Sequence, residues 1–312
     1  MLSRLLNAPA RALRLLRYPQ EAENEAQRLG QRLDDIAFGQ GRLWAMHARS
    51  LESRNLQDYE FKVFSQFGED GIIQRLVNSI PIANRTFIEF GVEDFSESNC
   101  RFLMAHDKWS GFTIDGSPEN VARTRASSLY WRHDLNSVCA FVTRENVGEL
   151  LRGSGFGAEP GILSIDVDGV DYHLWAELDW MRPAIMIAEY NSVFGPDRAI
   201  TVPYDPQFIR FDKHHSNLYF GCSLAALDHL ARQRGYSLVG STSQGVNAFF
   251  VRNDLLSDRI RPLSVAEAYT VSKHRESRDA EGRLTFVGGP ARLELIRGLP
   301  VVNVVTGETE AL

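Results

Sequence analysis

The sequence is poor in cysteine, in long apolar runs and in basic charge, and each shortage narrows the class of protein. Its 312 residues contain three cysteines, Cys100, Cys139 and Cys222, without Cys-x-x-Cys spacing. So few thiols are typical of a reduced, cytoplasmic protein, which is the location we expect. No run of about 18 apolar residues is present, so no segment is predicted to span a membrane. The net charge of −6 argues against nucleic acid as a partner, because phosphate contacts need a basic face.

What the chain does contain is ordinary for a globular protein, with 44% hydrophobic and 24% charged residues. The length suits one large α/β domain with an appendage, or two small domains. The pattern divides the chain into a helical arm over residues 1–60, a main domain over 61–254 and a C-terminal extension over 255–312.

The first nineteen residues of the arm combine leucines with Arg4, Arg11, Arg14 and Arg17 and contain no acid. A basic amphipathic helix of this kind lies on an anionic membrane surface or serves as a targeting presequence. The alternative is a frayed helix, interrupted by its prolines, that packs on the protein or on a partner subunit. The first interpretation predicts peripheral contact with the inner face of a membrane.

A charged helix is predicted over residues 21–55. It carries four apolar residues near heptad spacing: Leu29, Leu33, Ile36 and Leu43. Gly39 and Gly41 weaken it as a long coiled coil. The arm therefore either forms a homo-oligomer or lies as a solvated helix against its own domain.

From residue 61 onward, short apolar runs alternate with helical stretches, which is typical of a mostly parallel sheet. Ser65 is predicted to cap a first helix, and Ser117 with Pro118 to cap a later one. The last two strands enclose a short turn and should form an antiparallel hairpin. The predicted strands are 86–90, 111–115, 161–166, 184–189, 236–239 and 247–251.

Four of these strands carry a carboxylate at or next to their last residue. The residues are Glu89, Asp115, Asp166 and Glu189. Ligands of open α/β sheets bind at the carboxyl ends of the strands, beside the topological switch point. A cofactor with hydroxyls and a cationic centre would suit such a rim, although acids also cap helices and occupy loops without any functional role.

In their order and spacing, several motifs resemble the FkbM-like class I methyltransferases. The likeness covers roughly residues 61–254 and rests on residues 65–70 (SQFGED), 87–91 (FIEFG), 98–99 (SN), 109–111 (WSG), Asp115, 164–172 (SIDVDGVDY) and 187–191 (IAEYN). The resemblance implies a Rossmann-like α/β fold with a seven-stranded, mostly parallel sheet and an antiparallel C-terminal hairpin. It also implies S-adenosylmethionine as methyl donor, and often a hydroxyl acceptor on a sugar or polyketide.

The resemblance also implies roles for individual residues on the cofactor side. Glu89 and Gly91 would form the first cofactor loop, and Asp115 would accept hydrogen bonds from the ribose hydroxyls. Gly116 and Ser117 would pass close to the adenosine. Asp134 would contact the adenine amino group, unless it is simply an acid in a surface loop. The first loop departs from the family pattern, because residues 91–95 (GVEDF) have a single glycine and two extra acids.

Transfer of a methyl group to an alcohol requires removal of the acceptor proton or polarisation of its oxygen. Two arrangements would supply this. In one, Asp166 or a histidine, with His215 the candidate, acts as general base. In the other, Asp166, Asp168 and Glu189 hold Mg²⁺, because three converging carboxylates repel one another unless a cation or protons neutralise them. Asp168 has the alternative of capping the following helix.

The acceptor site is predicted to involve the long polar and aromatic loop between Glu189 and Ser223. Loops of this length within compact domains are often functional. Tyr204, Tyr219 and Asn191 are the candidates to contact the substrate.

These observations predict an S-adenosylmethionine-dependent O-methyltransferase that acts on a sugar, a glycan or a small metabolite. Two alternatives remain open. The carboxylate trio would also suit a metal-dependent enzyme of another kind on the same fold. The glycine-poor first loop would also suit a non-catalytic, degenerate methyltransferase fold that serves in assembly through its arm.

Overall fold

A computed structural model describes the backbone of residues 8–312 and the side chains of residues 25, 26 and 28–312. The helices are α1 (Ala8–Ser50), α2 (Glu69–Val77), α3 (Arg101–Asp107), α4 (Pro118–Ala126), α5 (Ser128–Arg132), α6 (Arg144–Arg152), α7 (Asp171–Glu177), α8 (Arg210–Lys213), α9 (Leu224–Gln233), α10 (Val265–Ala268) and α11 (Ala291–Glu294). The strands are β1 (Thr86–Phe90), β2 (Ser110–Asp115), β3 (Leu135–Cys139), β4 (Ile162–Ile165), β5 (Ile185–Glu189), β6 (Ile200–Thr201), β7 (Tyr236–Ser241), β8 (Asn247–Arg252), β9 (Pro300–Asn303) and β10 (Thr309–Ala311).

The main sheet has seven strands in the order β3-β2-β1-β4-β5-β8-β7. Neighbours from β3 to β5 are parallel, whereas β8 runs antiparallel to both β5 and β7. The chain order reverses direction between β1 and β4, which is the switch point where α/β sheets bind ligands. This is the predicted class I methyltransferase fold, with its antiparallel C-terminal hairpin.

The central strands are continuous apolar runs because helices cover both faces of the sheet. Ile162–Ile165 is buried along its whole length, and in Ile185–Glu189 only the terminal glutamate reaches the surface. Two hydrophobic clusters result, and both draw residues from β1, β4, β5, β7 and β8. These strands therefore form a rigid base for the loops that follow them.

Two local predictions need correction. The prediction that Ser65 caps α2 is wrong, because Gly68 is the N-cap and the Ser65 hydroxyl instead hydrogen-bonds the Asp70 carboxylate at 2.9 Å. Strand β3 was not predicted, because it lies at the sheet edge and its Asn136 and Cys139 are exposed. By contrast, Ser117 caps α4 as expected, accepting from the Asn120 amide at 3.2 Å.

The C-terminal residues fold back onto the main domain. Strand β9 pairs with β6 and β10 in a second sheet of three strands, and Ile296 and Val301 join the larger hydrophobic cluster. Earlier in the tail, Arg278 and Leu284 form one isolated antiparallel bridge. The extension is therefore packed against residues 61–254 and also contributes to the surface described below.

The arm is one helix, α1, which runs from Ala8 without a break at either proline or at Gly39 and ends at Ser50 rather than at residue 55. One face packs on the domain, where an added Cβ on Gly41 would lie 2.4 Å from Val63, and Asp34 pairs with Arg101 at 2.6 Å. The residues at heptad spacing are about 60% exposed instead. Among the described residues, no helix is both long and apolar enough to cross a bilayer. The predicted amphipathic character of residues 1–19 lies outside the described side chains.

Candidate active site

A cleft of about 440 Å³ opens at the carboxyl ends of β1, β2, β4 and β5. We call it the acidic cleft, because eight carboxylates line it against two arginines and one histidine. The acids are Glu89, Glu93, Glu97, Asp115, Asp166, Asp168, Glu189 and Glu276. All four strand-end carboxylates of the sequence analysis are therefore brought together at one rim.

The loop after β1 passes very close to the end of β4. Gly91 has φ of +69°, and an added Cβ would lie 1.7 Å from the Asp166 carbonyl oxygen. The positive φ and the short distance to the Asp166 carbonyl oxygen each favour glycine over any other residue at this position. Glu93 and Phe95 also have positive φ, at 48° and 64°, so the loop is tightly wound despite having one glycine.

Glu89 holds this loop from within. Its carboxylate accepts from the Ser98 hydroxyl at 2.7 Å, the Asn99 amide at 2.7 Å and the Cys100 amide at 3.2 Å. Burial raises its pKa to about 7, and these hydrogen bonds oppose the rise. Since its lone pairs serve these contacts, Glu89 positions the segment that leads into α3 rather than facing the centre of the cleft.

Asp115 ties the first two loops together. One carboxylate oxygen accepts from the Glu93 amide at 2.8 Å, and the other accepts from the Ser117 amide at 2.8 Å. A carboxylate has about four acceptor positions, so capacity remains for a ligand hydroxyl. An added Cβ on Gly116 would meet only Phe141, at 3.6 Å, so the adjoining space is open.

Three carboxylates gather on the other side of the cleft. One oxygen each from Asp166, Asp168 and Glu189 lies within 4.8 Å of the others. Burial, followed by the neighbouring carboxylates, raises the pKa of Asp166 and of Glu189 well above their usual ranges. Three carboxylates this close repel one another, and the Arg210 guanidinium, which pairs with Asp168, balances only part of their charge.

Two buried oxygens at this place have no hydrogen-bond partner among the described residues. They are Glu189 Oε2 and Asn247 Oδ1. The two residues are direct partners in the β5–β8 pairing, so both oxygens belong to the same end of the sheet. Unpartnered buried acceptors beside mutually repelling carboxylates fit a divalent cation, whose ligands are oxygens.

Arg210 of α8 links the rim of the cleft to the C-terminal extension. Its guanidinium donates to Asp168 at 2.7 Å, to Glu276 at 2.8 Å and to the Asn217 carbonyl at 2.8 Å. Because Asp168 follows β4 and Glu276 belongs to the tail, Arg210 joins three parts of the chain. Its side chain is only 14% exposed, so the ion pairs are partly shielded from solvent.

Four sequence-predicted site residues lie away from the cleft. Asp134 precedes β3, at the opposite end of the strand from the cleft, where its carbonyl accepts from Gly111. His215 is exposed in the loop after α8. Tyr204 donates to Glu145 at 2.7 Å on the surface, and Tyr219 is buried with its hydroxyl on the Pro300 carbonyl. None of the four lines the acidic cleft.

Asn191 and Ser117 occupy intermediate positions. Asn191 lines the cleft, but its amide donates to the carbonyls of Leu218 and Phe220 at 2.9 and 3.0 Å. It therefore fixes the long loop after β5 rather than offering a free group. Ser117 is the cap of α4 next to Asp115 and lies just outside the lining.

Residues from the segment after the edge strand and from the tail also line the cleft and were not predicted from the sequence. Phe141, 52% exposed, follows β3 at the cleft rim, and His274 and Arg292 come from the tail. Arg292 is buried, and its guanidinium donates hydrogen bonds to the Ser272 and His274 carbonyls. Recognising β3 would have revealed Phe141, whereas no periodic pattern marks the tail residues.

No known family model matches this chain, and no curated protein matches its sequence. The fold has solved counterparts. The N-terminal domain of EvdMO1, solved with S-adenosylhomocysteine bound, is 12% identical over 67% of this chain and 94% of that chain, with a TM-score of 0.38. An O-methyltransferase family protein from Burkholderia thailandensis is 10% identical over 62% of this chain, with a TM-score of 0.35. This chain matches 52% of that protein's length.

A third counterpart is an O-methyltransferase from Bacillus cereus, solved with S-adenosylhomocysteine. It is 12% identical over 57% of this chain and 76% of that chain, with a TM-score of 0.34. These scores are low, so the fold assignment rests on the strand order, which the structure gives directly. Membership of the FkbM-like branch stays a prediction.

Proposed function

We propose that the chain is an S-adenosylmethionine-dependent O-methyltransferase whose acceptor is a hydroxyl of a sugar, a glycan or a small metabolite. The observation that carries the proposal is the acidic cleft at the switch point of a class I methyltransferase sheet. The donor carries a sulfonium and an ammonium against one carboxylate. A cleft with a large excess of acids therefore favours it electrostatically.

The donor half of the cleft would be formed by the loops after β1, β2 and β3. The close passage of Gly91 supports contact between backbone and the methionine moiety, with Glu93 near its ammonium. Asp115 has acceptor capacity left for the ribose hydroxyls, and Phe141 offers an exposed ring beside Gly116 for the adenine face.

The acceptor half would be formed by the carboxylate trio. Asp166, Asp168 and Glu189 supply oxygen ligands for Mg²⁺, and Asn247 Oδ1 lies at the same end of the sheet. Mg²⁺ bound there would lower the pKa of an acceptor hydroxyl. Without a metal, Asp166 or Glu189, whose pKa values burial raises above their usual ranges, would instead take up the proton that the hydroxyl loses.

The reaction follows from these positions. The acceptor oxygen attacks the methyl carbon in line with the departing sulfur, so an oxygen–carbon bond forms as the carbon–sulfur bond breaks. Where no metal is bound, the acceptor proton passes to Asp166 or Glu189. The chain's contribution is mainly to hold the donor and the acceptor oxygen in this alignment and to keep water out.

Isothermal titration with S-adenosylhomocysteine tests the donor half. We expect one binding site per chain, weakened about 10- to 100-fold in Asp115→Ala, since hydrogen bonds to charged groups contribute about 1.5–3 kcal/mol. The control is Asp197→Ala, which removes an acid outside the acidic cleft. A chain that folds normally yet binds no S-adenosylhomocysteine would contradict the proposal and favour the assembly role.

The acceptor class is then tested with isotopically labelled donor. Cell extract incubated with the protein and the labelled donor should yield labelled sugars or small hydroxyl compounds by mass spectrometry. The Asp166→Asn variant should bind the donor but transfer little label. Label that appears only on nitrogen or carbon would refute O-methylation while leaving donor binding intact.

A further inference from the structure

A second cavity, of about 350 Å³, lies where α1 meets α2. It shares no lining residue with the acidic cleft and has the opposite charge. Its charged lining residues are Arg49 of α1, Arg75 of α2 and Arg259 of the segment after β8. No carboxylate lines it, and the remaining lining residues are alanines and amides. We call it the arginine cavity.

The three guanidinium groups are nearly unused within the protein. None of them is within 4 Å of a carboxylate among the described residues, and the one hydrogen bond recorded for them runs from Arg75 Nη2 to the Arg259 carbonyl at 3.2 Å. Arg75 Nε is buried and has no acceptor among the described residues. A buried donor without a partner costs about 1–3 kcal/mol, which a bound acceptor would recover.

Arg75 is held in position although its Nε donor has no partner among the described residues. Its guanidinium lies over the Tyr59 ring, 4.6 Å from the centroid, and the Arg259 carbonyl fixes one nitrogen. The orientation is therefore set before any ligand arrives, which reduces the entropy lost on binding.

Asp107, which contacts a residue of the cavity lining, is already engaged. Asp107 accepts from the side-chain amide of Gln74, which lines the cavity, and lies 3.9 Å from His106. Asp107 itself is not part of the lining. The positive charge of the three arginines is therefore not cancelled from within the cavity wall.

We propose that the arginine cavity binds a phosphoryl group, as a phosphate ester or a diphosphate. Guanidinium forks match the paired oxygens of such groups, and several of them together favour a multiply charged anion. The small side chains of Ala45 and Ala48 leave room for more than a single small ion. Because Arg49 belongs to α1 and Arg75 to α2, the ligand would also tie the arm to the domain.

The test is isothermal titration with pyrophosphate at low ionic strength, in the presence of saturating S-adenosylhomocysteine so that the acidic cleft does not contribute. We expect one site, weakened at least tenfold in Arg75→Gln and in Arg49→Gln. Arg49 is exposed, so its variant should keep the thermal midpoint of the wild type even if Arg75→Gln destabilises the fold. Arg85→Gln is the matched control, since it removes one exposed positive charge outside the cavity.

A second arm of the experiment separates the sources of the phosphoryl group. Phosphatidylcholine vesicles with and without phosphatidylglycerol are floated with each variant. Vesicle binding that is lost in Arg75→Gln and kept in Arg85→Gln would identify a lipid headgroup, whereas pyrophosphate binding without vesicle binding would identify a soluble ligand. If neither probe binds, or if Arg85→Gln weakens binding as much as Arg75→Gln, the proposal fails. Neither failure would bear on donor binding in the acidic cleft.

Discussion

Gly91 and Asp166 approach each other so closely that no side chain larger than hydrogen fits between them. A Cβ on Gly91 would lie 1.7 Å from the Asp166 carbonyl oxygen, and the Gly91 φ of +69° is itself costly for other residues. The loop after β1 and the end of β4 are therefore packed so tightly that neither can move without the other. Both the donor half and the acceptor half of the acidic cleft depend on this contact.

We expect Gly91→Ala to lower the free energy of unfolding by more than the cost of placing alanine at a positive φ. The extra loss arises because β4 or the loop must move to relieve the clash with Asp166. Gly155→Ala is a matched control, since Gly155 has φ of +78° and nothing lies within 4 Å of its added Cβ. The control should cost about 1–2 kcal/mol in urea unfolding, and Gly91→Ala clearly more. Equal losses in the two variants would show that the Asp166 contact yields without cost.

Phe141 gives the second prediction. Phe141→Ala should weaken S-adenosylhomocysteine binding about 5- to 100-fold, because stacking of a base on an aromatic ring contributes about 1–3 kcal/mol. Stability should change little, since the ring is 52% exposed. Trp131→Ala serves as control, because Trp131 is 73% exposed and lies outside the acidic cleft. Unchanged affinity in Phe141→Ala, measured by isothermal titration, would place the adenine elsewhere.

The strand-end acids and Gly91 show how much of the site the sequence predicts. The strands that end at Glu89, Asp115, Asp166 and Glu189 were visible because buried parallel strands are uninterrupted apolar runs. The carboxyl ends of parallel strands meet at the same edge of a sheet, so the four acids could be placed at one rim. The position of Gly91 against Asp166 depends on packing between strands that are 75 residues apart, which no local pattern encodes.

The predicted site residues that lie outside the acidic cleft share a physical feature. The family resemblance implies a role for Asp134, but Asp134 precedes β3, an edge strand that lacks the apolar run of its neighbours because Asn136 and Cys139 are exposed. His215 and Tyr204 were chosen by residue type within a long loop whose course the sequence does not specify. The tail that brings His274 and Arg292 to the rim has little regular structure, so periodicity could not locate it.

Glu89 predicts a dependence of stability on pH. Its pKa is about 7 in the folded protein against 4.5 as the ordinary value, so the native state holds a proton that the unfolded chain releases first. The stabilisation is therefore complete below about pH 4.5 and is lost as pH rises through about 7, with a total of about 3 kcal/mol at most. Asp70 and Asp171, with pKa values of about 6, act in the same direction.

Urea unfolding at several pH values between 5 and 8 measures this effect. The free energy of unfolding of the wild type should fall over this range, and Glu89→Gln, which resembles the protonated form, should flatten part of the fall. Glu52→Gln removes an exposed acid and should leave the slope unchanged. A slope in Glu89→Gln as steep as that of the wild type would assign the titration to other groups.

The carboxylate trio predicts a response to divalent metal. Millimolar Mg²⁺ should raise the thermal midpoint at pH 8 and do so less at pH 6, where protons compete for Asp166 and Glu189. Glu189→Gln should abolish the response. In the absence of metal it should be more stable than the wild type at pH 8, because it removes one of three repelling charges.

The control for the metal experiment is Glu308→Gln, an exposed acid outside the acidic cleft. It should keep the Mg²⁺ response of the wild type. If Mg²⁺, Mn²⁺ and Ca²⁺ all fail to change the thermal midpoint of the wild type at pH 8, the trio binds no divalent cation. Bound protons would then neutralise the charge of the carboxylates. Methyl transfer would then proceed by general base catalysis without metal.

The exposed face of α1 gives the last prediction, which concerns the oligomeric state. Leu29, Leu33, Ile36 and Leu43 are 58–67% exposed and follow heptad spacing on a face that does not contact the domain. With Trp44 beside them, they offer on the order of 600 Å² per chain, so two copies would bury about 1,200 Å², the lower limit of a specific interface. We expect the wild type to sediment as a dimer at micromolar concentration and Leu33→Glu to sediment as a monomer. Leu284→Glu, which alters an exposed leucine of the tail, should remain dimeric, and a wild type that stays monomeric at 100 micromolar would show that α1 carries its apolar face for another reason.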